Sequence, residues 1–201
     1  DVSEEIVTIE INGTDSEPMY FSFDNLNDQA WVGDRRHSII YAFKTADLAP
    51  GVQPIAEIQI DEGIFHMFSN GKQLWVCSDV ANTMSVIKLD SYEVLQVIDM
   101  NILPNNIADD FKCHDLVSTV QGIAFVSMLA KDDINRETGY IASFDTVTFE
   151  LLRVVETCGD PHVFHNQQGN TLSQDLWSPC QVPGRITRFD LDLNEIGSWE
   201  Y

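Results

Sequence analysis

The sequence predicts an all-β chain of propeller type with about four recognisable blades. Three observations carry this expectation. A strand-rich unit recurs with a period near 45 residues, an aromatic anchor opens each copy, and helical periodicity is almost absent. One such unit cannot bury both faces of its own sheet, so neighbouring units must stack.

The first copy, DQAWVGDRRHSIIYAFKTADLAPGVQPIAEIQI (28–60), is degenerate. The second is GKQLWVCSDVANTMSVIKLDSYEVLQVID (71–99) and the third QGIAFVSMLAKDDINRETGYIASFDTVTFELLRVVE (121–156). The fourth is NTLSQDLWSPCQVPGRITRFDLDLNEIGSWE (170–200). Trp31, Trp75, Phe125 and Trp177 anchor them, recurring roughly every 44 to 52 residues. In the clearest copies a short apolar strand, a polar loop and two alternating strands around an Asp-containing turn follow one another. A channel-lining strand precedes each copy, at EPMYFSF (17–23), GIFHMFS (63–69), KCHDLVS (112–118) and DPHVFHN (160–166). Blades are therefore expected at about 17–60, 63–99, 112–156 and 160–200 of one domain spanning 1–201. Residues 1–12 read as a strand closing the ring onto the last blade. A β-sandwich also uses many short alternating strands, but the long period and the aromatic–turn–Asp repeat argue against it.

The segments SVIKLDSYEVLQVID and GYIASFDTVTFELLRVVE resemble the YVTN family of β-propeller repeats, which includes bacterial surface-layer proteins and lactonase-like propellers. The resemblance covers about residues 60–200. It implies a propeller, commonly of seven blades, whereas about four are legible here. The chain is then a small propeller, one partner of a composite one, or part of a longer one. The lactonase-like members imply a hydrolase, yet no residue here matches a catalytic position that can be carried across.

On the propeller scheme the first strand of each blade runs down the channel from the top face. Met19, His66, His114 and His162 then take similar places at the channel mouth. Three imidazoles suit copper, zinc or nickel, and the Met19 thioether tilts the choice to copper. Asp115 and Asp160 are placed to accept from the rings and fix their tautomers. The competing readings are histidines that tie loops together and histidines that contact a bound anion or sugar. His165, three residues beyond His162, is expected to face the other way, and His37 to be a surface loop residue.

Cys77, Cys113, Cys158 and Cys180 fall on the same top face. Four cysteines allow three connectivities; strand placement favours Cys77 with Cys113 and Cys158 with Cys180. An even cysteine set without a CxxC pair fits an oxidising compartment rather than a zinc ribbon. The opening DVSEEIVTIE lacks an initiator Met and an apolar leader, as a processed secreted, periplasmic or cell-surface chain does and as a fragment of a longer chain also does. NGT at Asn12 is a glycosylation sequon.

Charge excludes more than it assigns. With 32 acidic and 11 basic residues the formal charge is −21, which repels phosphate backbones and anionic lipid and favours cations or basic proteins. No apolar run is long enough for a membrane span. DLDLNE (190–195) alternates acidic residues as calcium loops do, but it lacks the central glycine and distal glutamate and reads as a turn. The acidic loop AKDDINRETG (130–139) reads the same way. No GxSxG, P-loop, GxGxxG or HExxH occurs. The leading expectation is an exported binding or interaction module, with a protein partner or a further propeller chain as its neighbour. The alternative is an enzyme at the same mouth, a copper oxidoreductase or a lactonase-like hydrolase.

Overall fold

The computed structural model describes residues 8–11, 15–104, 107–132, 136–165 and 175–201. The chain is all-β, with sixteen strands in antiparallel sheets among the described residues. The first sheet holds β1 (Pro18–Asp24), β2 (Gln29–Asp34), β3 (Ile39–Lys44) and β4 (Ala56–Gln59). The second holds β5 (Ile64–Ser69), β6 (Gln73–Ser78), β7 (Thr83–Lys88) and β8 (Val94–Asp99). The third comprises β9 (Phe111–Ser118), β10 (Ile123–Ala130), β11 (Thr138–Asp145) and β12 (Leu151–Pro161). The fourth comprises β13 (Phe164–His165), β14 (Asp175–Val182), β15 (Arg185–Asp190) and β16 (Glu195–Glu200). The end of β12 also pairs with β14, so the third and fourth sheets are continuous. Innermost strands sit side by side: β1 beside β5, β5 beside β9, and β9 beside β13.

Alternation explains the stacking. In β6, Leu74 and Val76 point to the first sheet, while Trp75 and Cys77 point to the third. Both faces are apolar because both are covered, unlike a sheet with one wet face. Trp31, Trp75 and Phe125 each have no exposed surface and each points to the following sheet. Removing one such aromatic from water is worth about 1.5–3 kcal/mol. The turns carry the side-chain chemistry that their residues suggest. Asp145 accepts from the backbone N–H of Val147 and Thr148, and Asp190 from those of Asp192 and Asn194.

Covalent and ionic ties cross the sheets. Disulfides join Cys77 to Cys113, between the second and third sheets, and Cys158 to Cys180, between β12 and β14. They fit an oxidising environment. Asp79, whose side chain is 3% exposed, takes Arg35 at 2.7 Å and Lys112 at 2.9 Å, tying the first three sheets together. Burial pushes the Asp79 carboxyl up, but the hydrogen bonds and charges of Arg35 and Lys112 outweigh it and hold the carboxyl below its ordinary range.

The expected closing strand over residues 1–12 falls mostly outside the described residues. Residues 8–11 form no strand, and Ile9 and Ile11 pack beside Tyr41 and Phe43 of the first sheet rather than on the last. The Asn12 sequon and residues 133–135 of the acidic loop lie outside the described residues.

Candidate metal centre

The inner strands are irregular where they approach the mouth. One extra residue is inserted between Pro18 and Phe21 in β1, between Ile64 and His66 in β5, and between Cys113 and Leu116 in β9. These β-bulges re-aim side chains that strict alternation would place elsewhere. The fourth sheet does the same by interruption. Gly159 and Pro161 pair with β14, pairing resumes at Phe164, and His162 lies in the gap with its N–H bonded to the Pro179 carbonyl at 2.9 Å. Pro161 has no N–H to extend the ladder.

Asp115 is the hub. Its Oδ1 accepts from His66 Nε2 at 2.7 Å and from the Leu116 N–H at 2.8 Å. Its Oδ2 accepts from His162 Nδ1 and the Val163 N–H, both at 3.3 Å. Three inner strands are thereby joined through one carboxylate. Burial alone would raise the Asp115 carboxyl; the hydrogen bonds from His162 and His66, the charge of His66 and the Val163 N–H prevail and hold it well below its ordinary range.

A second cluster adjoins the hub. His114, Asp160 and His162 each offer a ligand atom, and these atoms all lie within 4.8 Å of one another. The His114 and His162 rings are 4.7 Å apart between centroids, and His114 Nδ1 stands 3.8 Å from Asp160 Oδ1. His114 Nδ1 donates to the Pro161 carbonyl at 3.4 Å, as His162 Nδ1 does to Asp115, so each ring keeps a lone pair on Nε2. The Gln181 amide sits 3.5 Å from His162 Nε2. The two rings are tuned apart. Burial, then the His162 charge, lowers the His114 pKa; the hydrogen bond to Asp115 raises that of His162 against its partial burial. Two imidazoles and a carboxylate are a donor set that divalent zinc, copper or iron accepts. A tetrahedral ion with bonds of about 2.1 Å holds its donors about 3.4 Å apart, so small side-chain movements close the set.

The expected ligands do not all meet. His114 and His162 come together, with Asp160 between the sheets as a third donor rather than only an orienting group. His66 is engaged through Nε2 by Asp115 and is absent from the donor cluster. The Tyr20 ring packs on His66, with ring centroids 3.8 Å apart. Tyr20 adopts a φ of 62°, and the Met19 carbonyl lies against Gly33. The Tyr20 hydroxyl is pushed up by burial and by the Asp115 charge. His165, expected to face away from His162, is not part of the donor cluster. It is buried, bonds the Asp175 carbonyl through Nδ1 at 2.9 Å, and lines the same central cavity as His66 and Asp115. That cavity, about 370 Å³, lies between β1, β5, β9 and β13. His37 is a partly exposed loop residue whose Nδ1 is 2.7 Å from Asp34.

No protein-family model matches the chain, and no curated protein matches it in sequence. Solved structures do resemble it. Hydrazine synthase of Kuenenia stuttgartiensis superposes with a TM-score of 0.71 at 11% identity, over 96% of this chain and 53% of that one. Hsv2 of Kluyveromyces lactis superposes with a TM-score of 0.59 at 9% identity, over 91% of this chain and 51% of that one. The chain thus spans about half the length of the structures it matches. At such identities the likeness is one of fold, and the fold is β-propeller-like.

Proposed function

We propose that this chain supplies four blades of an exported β-propeller of YVTN type and acts as a binding module. It holds one divalent transition metal at the channel mouth through His114, Asp160 and His162. The single observation that supports this reading is the convergence of those three side chains, each offering a ligand atom within 4.8 Å of the others, on rings that are also held by hydrogen bonds. The formal charge of −21 supports it by concentrating cations around the mouth. Zinc fits the nitrogen and oxygen donors of this set, and copper, which imidazoles also suit, is the other candidate. Three protein donors leave a coordination position open, as in catalytic zinc sites. That favours a metal-assisted hydrolase as the second reading.

Calorimetric titration of tag-free, chelator-treated protein with zinc tests the proposal. Wild type is expected to bind one equivalent, and His114→Ala and Asp160→Asn to bind none. Asp115→Asn, which frees His162 to turn, is expected to weaken binding by about 10–100-fold. Absence of zinc binding in wild type, or unchanged binding in His114→Ala, overturns it.

A further inference from the structure

The stack of sheets has a direction. Trp31 of the first sheet is sealed by the second, Trp75 of the second by the third, and Phe125 of the third by the fourth. Trp177 of β14 points the same way, but no described sheet follows it. Its ring stacks on Phe164 and Trp199, at centroid separations of 6.4 and 5.8 Å, and Arg188 lies over it. Phe164 and Trp199 stay 48% and 52% exposed. This end face therefore repeats the three internal interfaces at the register position where a next sheet packs.

The opposite end of the stack shows the complementary face. Phe21 and Phe23 of β1 register with Val32 and Ala30 of β2, which register in turn with Tyr41 and Phe43 of β3. Residues 8–11 and Leu48 cover the outer part, Tyr41 and Phe43. The inner part stays open around a hollow of about 330 Å³, with Phe21 65% and Phe23 56% exposed. In the second and third sheets, the face in this position is the one that seals the preceding sheet's anchor. A start face and an end face of this kind are made to meet each other, and one chain carries both.

We propose that the occupant of each face is a second copy of this chain. Two copies stand head to tail, the Phe21 and Phe23 face of one on the Trp177 and Trp199 face of the other, and close a ring about a two-fold axis along the channel. The inference rests on the propeller reading of the fold but not on the metal. Two observations select a copy: the interface continues the internal one, and the chain matches about half of chains twice its length. A ring of two copies has the size of those folds. Two chains of charge −21 repel, so salt strengthens the pairing.

Sedimentation velocity over a range of concentration and salt tests this, with the zinc titration run on the same samples. The expected result is a species of twice the 22.7 kDa chain mass that grows with salt. Phe21→Glu and Trp199→Glu, both at exposed positions, each weaken it by about 30-fold or more while leaving circular dichroism unchanged. An equimolar mixture of the two variants re-forms dimer, because one of its two interfaces is then intact. Val147→Glu, on an exposed turn of the third sheet, leaves the dimer unaffected. A monomer under all conditions, an open-ended series of larger species, or a dimer indifferent to both face variants overturns the proposal. Zinc binding by a monomer separates its failure from that of the metal reading.

Discussion

Two neighbouring regions of this molecule obey different rules. Between the second and third sheets, Trp75, Met84, Val86, Val126 and Phe144 pack with almost no exposed surface, where β6 pairs with β7 and β10 with β11 in regular register. A few residues inward, the same sheets present His66, His114 and Asp115 on strands broken by bulges. Regular pairing makes a wall; an inserted residue turns a side chain out of the wall and toward its neighbours. Stability is concentrated in the first region and chemistry in the second, so substitutions separate them.

The largest effect belongs to the wall. Trp75→Ala is expected to cost about 3–5 kcal/mol in urea unfolding, because a cavity is left among sheets that cannot collapse. Trp177→Ala, on the open end face, is expected to cost about 1 kcal/mol or less in dilute monomer. Equal costs break the distinction between sealed and open anchors. Next come the covalent ties. Replacing Cys77 and Cys113 together by Ser, which opens a loop of sequence separation 36, is expected to lower stability by about 2–4 kcal/mol at unchanged zinc stoichiometry.

The Asp79 tie is expected to be smaller and to depend on pH. Its folded pKa is depressed, so its stabilisation is present above the unfolded carboxylate value near 3.9 and is lost as pH falls through the folded value. Asp79→Asn therefore costs about 1–3 kcal/mol at neutral pH, and its deficit against wild type shrinks in acid unfolding below about pH 4. A deficit that stays constant into acid contradicts the charge account.

The smallest effects lie at the mouth and sharpen the comparison by sign. The His162 pKa is raised, so its contribution is full below the ordinary imidazole value and is lost as pH rises through the folded one. The His114 pKa is lowered, so its neutral form favours the fold as pH rises. The His114 slope acts below the ordinary imidazole value and the His162 slope above it, so the two together favour the fold most near that value. NMR titration is expected to place His162 above and His114 below the ordinary value, with His162 falling in Asp115→Asn. Coincident titrations contradict the hub.

What was legible in the sequence follows the same division. Alternation in GKQLWVCSDV and SVIKLD encodes which side chain faces which sheet, so the strands, their stacking and the roles of Trp31, Trp75 and Phe125 can be read directly. The cysteine pairs follow from strand placement. Alternation is blind to an inserted residue, however. Met19 looks equivalent to His66 on spacing, yet beside one bulge the ring packed on His66 is that of Tyr20. Another brings His114 and Asp115, adjacent in sequence, to a shared partner, His162. The unequal spacing of the four mouth positions was the one visible sign of these bulges.

Pulsed EPR of the copper(II)-loaded protein tests the centre most directly, because it counts coordinated imidazoles. Two are expected, falling to one in His114→Ala and staying at two in His66→Ala. Three imidazoles, with one lost in His66→Ala, would show that His66 leaves Asp115 to bind the ion, and none would show that the mouth holds no metal. Either result contradicts a centre built from His114, Asp160 and His162.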